Sequence, residues 1–182
     1  MPAWVPVRSR MTFGHEMVST LFFTLALAMI EGGVVAVFAR QTFETSTTAG
    51  RLNLAVAGLG AMSELANILS FIWTPLSSGK RVVPFVNGLQ VGAITLVGLI
   101  SLLPESSWGL WMLVGLVLAA RLCWSGIITI RTSVWRANYP ARIRARIVGM
   151  VSTVQVLIIA CGGAGLGYLL DQNPDIFRVV IP

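Results

Sequence analysis

Five long apolar stretches follow one another along this chain, with only short polar segments between them. They cover residues 17–39, 52–76, 82–103, 108–130 and 147–170. Each stretch reaches the roughly 20 residues that a helix needs to cross about 30 Å of hydrocarbon, and a helix satisfies its own backbone hydrogen bonds there. The pattern predicts an all-α, polytopic integral membrane bundle that forms a single transmembrane domain over residues 1–182.

A sixth apolar segment begins at Ile176, close to the last residue, Pro182. This segment is far too short for another crossing, so the pattern predicts five transmembrane helices plus a truncated sixth. No short apolar core of a cleavable signal peptide precedes the first long stretch. We therefore expect residues 17–39 to remain in the membrane.

Composition agrees with a membrane protein and excludes an ordinary soluble domain. Hydrophobic residues make up 55% of the chain, charged residues make up 11%, and the mean hydropathy is +0.81. The formal net charge of +6 raises the question of nucleic-acid binding. The distribution of the basic residues answers that question.

Basic residues are concentrated in alternate connecting segments. If the N-terminus is cytoplasmic, the outer segments hold only Arg40, Arg51 and Arg178. The inner segments then hold Arg8, Arg10, Lys80, Arg81, Arg131, Arg136, Arg142, Arg144 and Arg146. This asymmetry follows the positive-inside rule. It predicts a bacterial inner (cytoplasmic) membrane protein with its N-terminus in the cytoplasm and its C-terminus outside, whose basic surface meets the lipid bilayer and not nucleic acid.

Three ionisable residues, Glu31, Glu64 and Arg121, lie inside the apolar stretches, where an unpaired charge costs about 3 kcal/mol. We therefore expect them to face protein or water. Trp124 shares a helix face with Arg121. The face that carries Glu64 is small and polar, and we expect it to point inward; its other members are Ala57, Gly60, Ala61, Asn67 and Phe71.

Two interpretations of these charges stay open. In the first, Arg121 binds an anionic group of a substrate or pairs with a carboxylate, while Glu31 or Glu64 carries a proton. In the second, an arginine and a glutamate neutralise each other only to hold helices together.

Small and polar residues inside the stretches indicate where helices pack. Ala160 with Ala164, and Gly163 with Gly167, repeat small residues at every fourth position, a spacing that is typical of close helix–helix contact. The predicted partners in interhelical hydrogen bonds are Asn87, Gln90, Ser152 and Gln155.

The sequence contains little that indicates catalysis or metal binding. Cys123 and Cys161 both fall within apolar stretches, and neither a disulfide framework nor a metal site is indicated. His15 and Glu16 are interpreted as an interfacial pair. Because the stretches lack the zinc-binding, nucleophile-elbow and paired-aspartate patterns, we expect neither an enzyme nor a cofactor.

Two inner segments carry a resemblance to a known family. The segment Pro75-Leu-Ser-Ser-Gly-Lys-Arg81 resembles the motif between helices two and three of the major facilitator superfamily, with Gly79, Lys80 and Arg81 at its last three positions. Leu76 and Ser77 stand where the family has an aspartate and an arginine. Residues 139–149 and the glycine-rich end of the fifth stretch are similar to the passage into and along helix five.

The resemblance implies the first five of twelve helices. In this family two six-helix bundles rock around a site at their interface, and helices one and four line the cavity. Glu31 and Arg121 would then lie at the cavity, and Glu64 nearer the bundle interface. The expected function is that of an incomplete front half of a secondary transporter, partnered by the missing half or by another membrane protein. The alternative is a non-transporting structural or accessory subunit packed against a larger membrane complex.

Overall fold

A computed structural model of the protein describes residues 7–172, which form α-helices joined by short turns and contain no β-strand. The predicted sixth segment, from Ile176, lies outside these residues. Two 3-10 turns, Leu69–Ile72 and Ile100–Leu102, continue the second and third apolar stretches. The helices are α1 (Val7–Met29), α2 (Gly32–Phe43), α3 (Ala49–Ile68), α4 (Trp73–Ser77), α5 (Val82–Leu99), α6 (Ser107–Asn138) and α7 (Ala141–Gln172). The all-helical prediction is confirmed.

Four helical segments are long and apolar enough to cross a membrane: Ala49–Ser77, Val82–Leu102, Ser107–Asn138 and Ala141–Leu170. A fifth is present if the bent pair α1 and α2 counts as one span. Large apolar side chains project from the outer surface of the bundle, as lipid-facing positions require. Examples are Phe22, Leu54, Ile68, Val91 and Val156.

The first predicted span is broken, which the apolar pattern did not indicate. Its two parts, α1 and α2, meet at an angle of 42°. Glu31 has extended backbone angles between them (φ −64°, ψ 139°), and the glycines at positions 32 and 33 follow immediately. Because glycine is a poor helix former, two in succession favour a break at this point.

Helix α6 is the centre of the bundle. It packs extensively against α5 on one side and α3 on the other, whereas α7 packs mainly against α1. Leu110, Leu113 and Val117 of α6 are completely buried, and they join α2 and α3 residues in the main core. Any polar side chain on the inward face of α6 is therefore enclosed by protein.

The turn between α6 and α7 is much shorter than the basic loop predicted over residues 131–146. Helix α6 continues to Asn138 and α7 begins at Ala141. Tyr139 between them is extended (φ −127°, ψ 132°), as expected for a residue before a proline. Arg131 consequently belongs to a helix and not to a loop.

The turns lie at two opposite ends of the bundle. At one end the Ser9 hydroxyl donates to the carbonyl of Asn138 at 3.2 Å, which brings the start of α1 to the α6–α7 turn. At the other end the Ser107 hydroxyl donates to the carbonyl of Ser46 at 3.1 Å, which joins the α2–α3 turn to the start of α6. We call the first of these the basic end, because Lys80, Arg81, Arg136, Arg142, Arg144 and Arg146 belong to the turns and helix ends there.

The face of α3 that carries Glu64 points outward, contrary to the expectation from its small polar residues. Glu64, Ala57, Gly60, Ala61, Asn67 and Phe71 are all exposed. The inward face of α3 is formed instead by Leu52, Ala55, Leu59, Met62 and Ala66. Leu52, Leu59 and Met62 bury more apolar surface against α2 and α6 than Ala57, Gly60 and Ala61 of the opposite face would.

Candidate functional site

Glu31 and Arg121 form an ion pair where α1 breaks. The Nη2 atom of Arg121 lies 2.9 Å from Oε2 of Glu31 and donates to the carbonyl of Ile30 at 3.0 Å. The break places both acceptors beside α6, since Ile30 and Glu31 are the residues that connect α1 to α2. The arginine therefore neutralises a carboxylate and also binds the backbone at the break.

Burial of this pair is unequal. The side chain of Arg121 is 7% exposed, whereas that of Glu31 is 38% exposed. Glu31 borders an open cavity of about 460 Å³ between α2 and α7, whose wall includes Ala160, Gly163 and Gly167. Glu31 is thus the accessible partner, and Arg121 is enclosed behind it.

Trp124, predicted beside Arg121, stacks on Phe23 of α1. The two ring centroids are 4.7 Å apart and the ring planes meet at 26°. This stacked pair occupies the space between α1 and α6, next to the Glu31–Arg121 pair. Trp124 is partly buried and packs against the main core and against the cluster that includes Phe23 and Ile127.

A second charged cluster, absent from the sequence-based candidates, surrounds Glu16. Its Oε1 atom lies 2.9 Å from Nε of Arg131 and also accepts from the indole N–H of Trp135. Its Oε2 atom accepts from the hydroxyl of Tyr139 at 2.9 Å. Arg131 also donates to the hydroxyl of Thr20 at 2.7 Å. We call Glu16, Thr20, Arg131, Trp135 and Tyr139 the Glu16 cluster.

Glu16 pairs with Arg131 of α6, whereas the sequence interpretation grouped Glu16 with its neighbour His15. Both Glu16 and Arg131 have side chains that are only 13% exposed. Arg131, Trp135 and Tyr139 are spaced four residues apart, so they lie along one side of α6 and its last turn. That spacing is the signal in the sequence that would have linked them, although nothing local identified Glu16 as their shared acceptor.

Tyr139 is held in its neutral form by its surroundings. Burial raises the pKa of Tyr139 well above its ordinary value of 10, and the adjacent Glu16 carboxylate raises it further through its charge and its hydrogen bond. Arg131 opposes this shift by favouring the phenolate. The phenol therefore remains a hydrogen-bond donor to Glu16.

A polar cavity opens beside the Glu16 cluster, between α1, α5 and α6. Its volume is about 230 Å³. Polar side chains from all three helices line it: Thr12, His15, Glu16, Ser19, Asn87, Gln90, Arg131 and Asn138. The Gln90 side chain donates to the hydroxyl of Ser19 at 3.3 Å, which confirms the predicted interhelical bond for that residue. The cavity can offer hydrogen-bond donors and acceptors together with an already neutralised ion pair.

The remaining candidates lie away from this cavity. Gly79 has a positive φ of 73°, a conformation that glycine adopts without strain, so its place in the α4–α5 turn has a structural reason. Lys80 lies over the ring of Phe85 at 4.9 Å from the centroid, and Arg81 is exposed at the start of α5. Glu64 is on the outer surface of α3.

The glycine-rich part of α7 approaches α1 through a residue that the spacing pattern did not select. A β-carbon added at Gly162 would lie 3.2 Å from the β-carbon of Ala28. Gly163 and Gly167 instead border the α2–α7 cavity, and Ala160 and Ala164 are exposed. Between residues 7 and 172 no group of three or more His, Cys, Asp or Glu side chains is arranged to hold a metal ion.

Comparison of the chain with known protein families, with curated proteins and with solved structures found no match.

Proposed function

We propose that this chain is a helical bundle of a membrane transporter and that a small polar solute enters it through the cavity between α1, α5 and α6. The observation that carries the proposal is the polar lining of this cavity within helices long enough to cross a membrane. The cavity lies toward the basic end of the bundle, where polar and charged side chains are common, and its lining offers a polar solute several hydrogen-bond partners at once. A solute pathway accounts for their accumulation on three helices.

The resemblance to the major facilitator superfamily supports a second element of the proposal. It implies that the bundle works with another helical bundle, packed so that the two enclose the solute. Glu31 and Arg121 then form the opposite, more apolar end of the pathway. Protonation of the half-exposed Glu31 would release the Arg121 guanidinium for an anionic group of the solute.

Ligand-induced stabilisation tests whether the polar cavity binds a solute. The purified chain is heated in detergent with a panel of sugars, amino acids and carboxylates, and unfolding is followed by circular dichroism. A solute at one hundred times its dissociation constant adds about 2.7 kcal/mol to the free energy of unfolding. A solute that stabilises the chain in this way is identified as a ligand of the bundle.

Matched variants separate cavity binding from general stabilisation. Gln90→Leu removes a polar group from the cavity wall, whereas Asn53→Leu makes a similar change in an exposed residue of α3. We expect Gln90→Leu to abolish the stabilisation and Asn53→Leu to keep it. Equal loss in both variants, or no stabilisation by any solute, would contradict the proposal.

One observation favours the second candidate function, an accessory subunit of a larger membrane complex. Glu64 lies in the middle of the span Ala49–Ser77 and faces outward, where a lipid-exposed carboxylate is costly. A neighbouring transmembrane helix that supplies a hydrogen-bond donor would relieve this cost. The small residues Gly60 and Ala61 on the same face would allow its backbone to approach closely.

Purification in mild detergent distinguishes the two functions. An accessory subunit would be isolated with an unrelated membrane protein at fixed stoichiometry, and Gly60→Leu would disrupt the complex. Val91→Leu, at an exposed position of α5, is the matched control and should leave the complex intact. Isolation of the chain alone would count against a subunit.

A further inference from the structure

A third cavity lies at the turn between α6 and α7, and Asn138 is the one residue that it shares with the lining of the proposed transport cavity. Its volume is about 510 Å³. It is lined by Ser9, Arg136, Ala137, Asn138, Tyr139, Pro140, Ala141 and Arg144. We call it the α6–α7 cavity. Two of its wall residues are arginines, and none is acidic.

Arg144 is held in place at this cavity by the end of α6. Its Nη2 atom donates to the carbonyl of Tyr139 at 3.2 Å and more weakly to that of Arg136 at 3.4 Å. Its Nε atom is buried and has no hydrogen-bond partner among the described residues. A buried donor without an acceptor is costly, and a guanidinium has five N–H donors arranged to match phosphate oxygens.

Little negative charge competes for these arginines. The sequence contains no Asp or Glu from residue 106 to residue 170. The carboxylate of Glu16 binds the cavity residue Tyr139, and it already accepts from Arg131, Trp135 and Tyr139. The cavity therefore keeps a positive potential that favours an anion.

The position of the cavity indicates where that anion comes from. Trp135 and Tyr139 beside it are residue types that favour the headgroup layer of a bilayer. Toward the middle of α7 the outer surface of the bundle is apolar, and it includes Val156 and Leu157. A phospholipid with an anionic phosphate supplies a charge for the two arginines and acyl chains for the surrounding bilayer.

We propose that the α6–α7 cavity binds the phosphate of an anionic phospholipid, with Arg136 and Arg144 as its ligands. The exposed Arg136 approaches the headgroup from the end of α6, and Arg144 donates from the first turns of α7. The lipid then anchors the α6–α7 turn at the membrane surface that adjoins the basic end of the bundle.

Native mass spectrometry of the full chain, titrated with phosphatidylglycerol, tests the proposal. We expect one phosphatidylglycerol molecule to bind more tightly than phosphatidylcholine. Each arginine near an anionic headgroup contributes about fivefold in affinity, so Arg136→Gln combined with Arg144→Gln should weaken binding about 25-fold. The control is Arg40→Gln combined with Arg51→Gln at the opposite end of the bundle, and it should leave binding unchanged.

Three outcomes would overturn the proposal. They are equal weakening by the control pair, equal affinity for phosphatidylcholine, and displacement of the lipid by inorganic phosphate, which would identify a site for the free ion. Because Arg144 also binds the end of α6, folding of each variant is checked by circular dichroism. If the double variant does not fold, the exposed single variant Arg136→Gln must still lose about fivefold in affinity, and an unchanged affinity would refute the site.

Discussion

Two glutamates, one in α1 and one at the break after it, show how single residues make charge tolerable inside this bundle. Glu31 and Glu16 are each paired with an arginine of α6, at 2.9 Å in both cases. The two arginines are ten residues apart, which is about 15 Å along a helix axis. Two ion pairs at different heights along α6 therefore connect it to α1 and to the break after α1. The backbones of α1 and α6 themselves approach each other at few positions.

The unequal burial of Glu31 and Arg121 predicts unequal effects of substitution. Glu31→Gln leaves the 7% exposed Arg121 without its counter-ion, and we expect a loss of about 3 kcal/mol in the free energy of unfolding. Arg121→Gln leaves a carboxylate that is 38% exposed, so a smaller loss is expected. Chemical unfolding in detergent, followed by circular dichroism, measures both values.

The double variant completes this comparison. Combining Glu31→Gln with Arg121→Gln removes both charges, and its stability should exceed that of Glu31→Gln alone. Additive losses in the double variant would show that the two side chains do not act as a pair.

Tyr139 is predicted to titrate at unusually high pH. Its folded-state pKa is raised above 10, so unfolded chains lose the phenol proton first as pH rises. The stabilisation is complete below pH 10 and is lost as the pH rises toward the folded-state pKa. Ultraviolet absorbance of tyrosinate in a Tyr168→Phe background, where Tyr139 is the only tyrosine, measures the shift directly.

Glu16→Gln is the companion variant in this titration. Removal of the carboxylate charge should lower the pKa of Tyr139, but burial should keep it above 10. An unchanged titration in Glu16→Gln would mean that the two groups are not in contact.

At the scale of elements, glycine positions determine how closely α6 packs against its neighbours. A β-carbon at Gly126 would lie 2.7 Å from two ring atoms of Trp73 and 3.0 Å from Leu89. The indole of Trp73 thus packs directly on the backbone of α6. At Gly115 of the same helix, nothing lies within 4 Å of an added β-carbon.

These two glycines predict opposite outcomes for the same substitution. Gly126→Ala should lower the free energy of unfolding by about 1–3 kcal/mol, because Trp73 must move. Gly115→Ala should leave it unchanged or raise it by up to about 1 kcal/mol, because alanine favours a helix. Thermal unfolding of the two variants in one detergent provides the comparison, and equal destabilisation would argue against the Trp73 contact.

At the scale of the whole molecule, the ends of the bundle differ in charge. The end with the α4–α5 and α6–α7 turns is basic, whereas the opposite end carries Arg40 and Arg51 with Glu44 and Glu105. By the positive-inside rule we predict that the basic end faces the cytoplasm.

Cysteine labelling in intact bacterial cells measures this orientation. In a background with Cys123→Ala and Cys161→Ala, a membrane-impermeant maleimide should modify Thr48→Cys in the α2–α3 turn. It should modify Ser78→Cys in the α4–α5 turn only after permeabilisation. Both positions are exposed, so access to either does not require unfolding. The reverse pattern would contradict the predicted orientation.

The sequence predicted some elements of the structure better than others. The helices could be predicted because each apolar stretch is long enough for the membrane to dictate its conformation. The bend at Glu31 could not be predicted from apolarity alone. The break depends on two glycines and on Arg121, which pairs with Glu31 and donates to the carbonyl of Ile30. The length of the α6–α7 turn was overestimated, because charged residues also occur in helices that extend beyond the apolar core.

Some residues of the candidate site could likewise be predicted from the sequence, and others could not. Glu31 and Arg121 were identifiable because a charge is unusual in an apolar stretch, and the structure pairs them. Trp124 was predicted on the same helix face as Arg121, and it stacks on Phe23. Glu16 and Arg131 were not predicted to pair because they lie just outside their apolar stretches, where charges are common. Glu64 was expected to point inward, but both faces of α3 are rich in small or apolar residues, so periodicity could not distinguish them.

By itself the sequence determined the helical class, the approximate segments that suit a membrane, and the asymmetry of charge between alternate turns. These follow from local composition, because hydrocarbon selects long apolar helices one segment at a time. Only the tertiary structure decided which charges pair, which face of α3 is buried, and where polar side chains from α1, α5 and α6 converge. Those features depend on contacts between residues up to 123 positions apart, such as Glu16 and Tyr139, which no local pattern encodes.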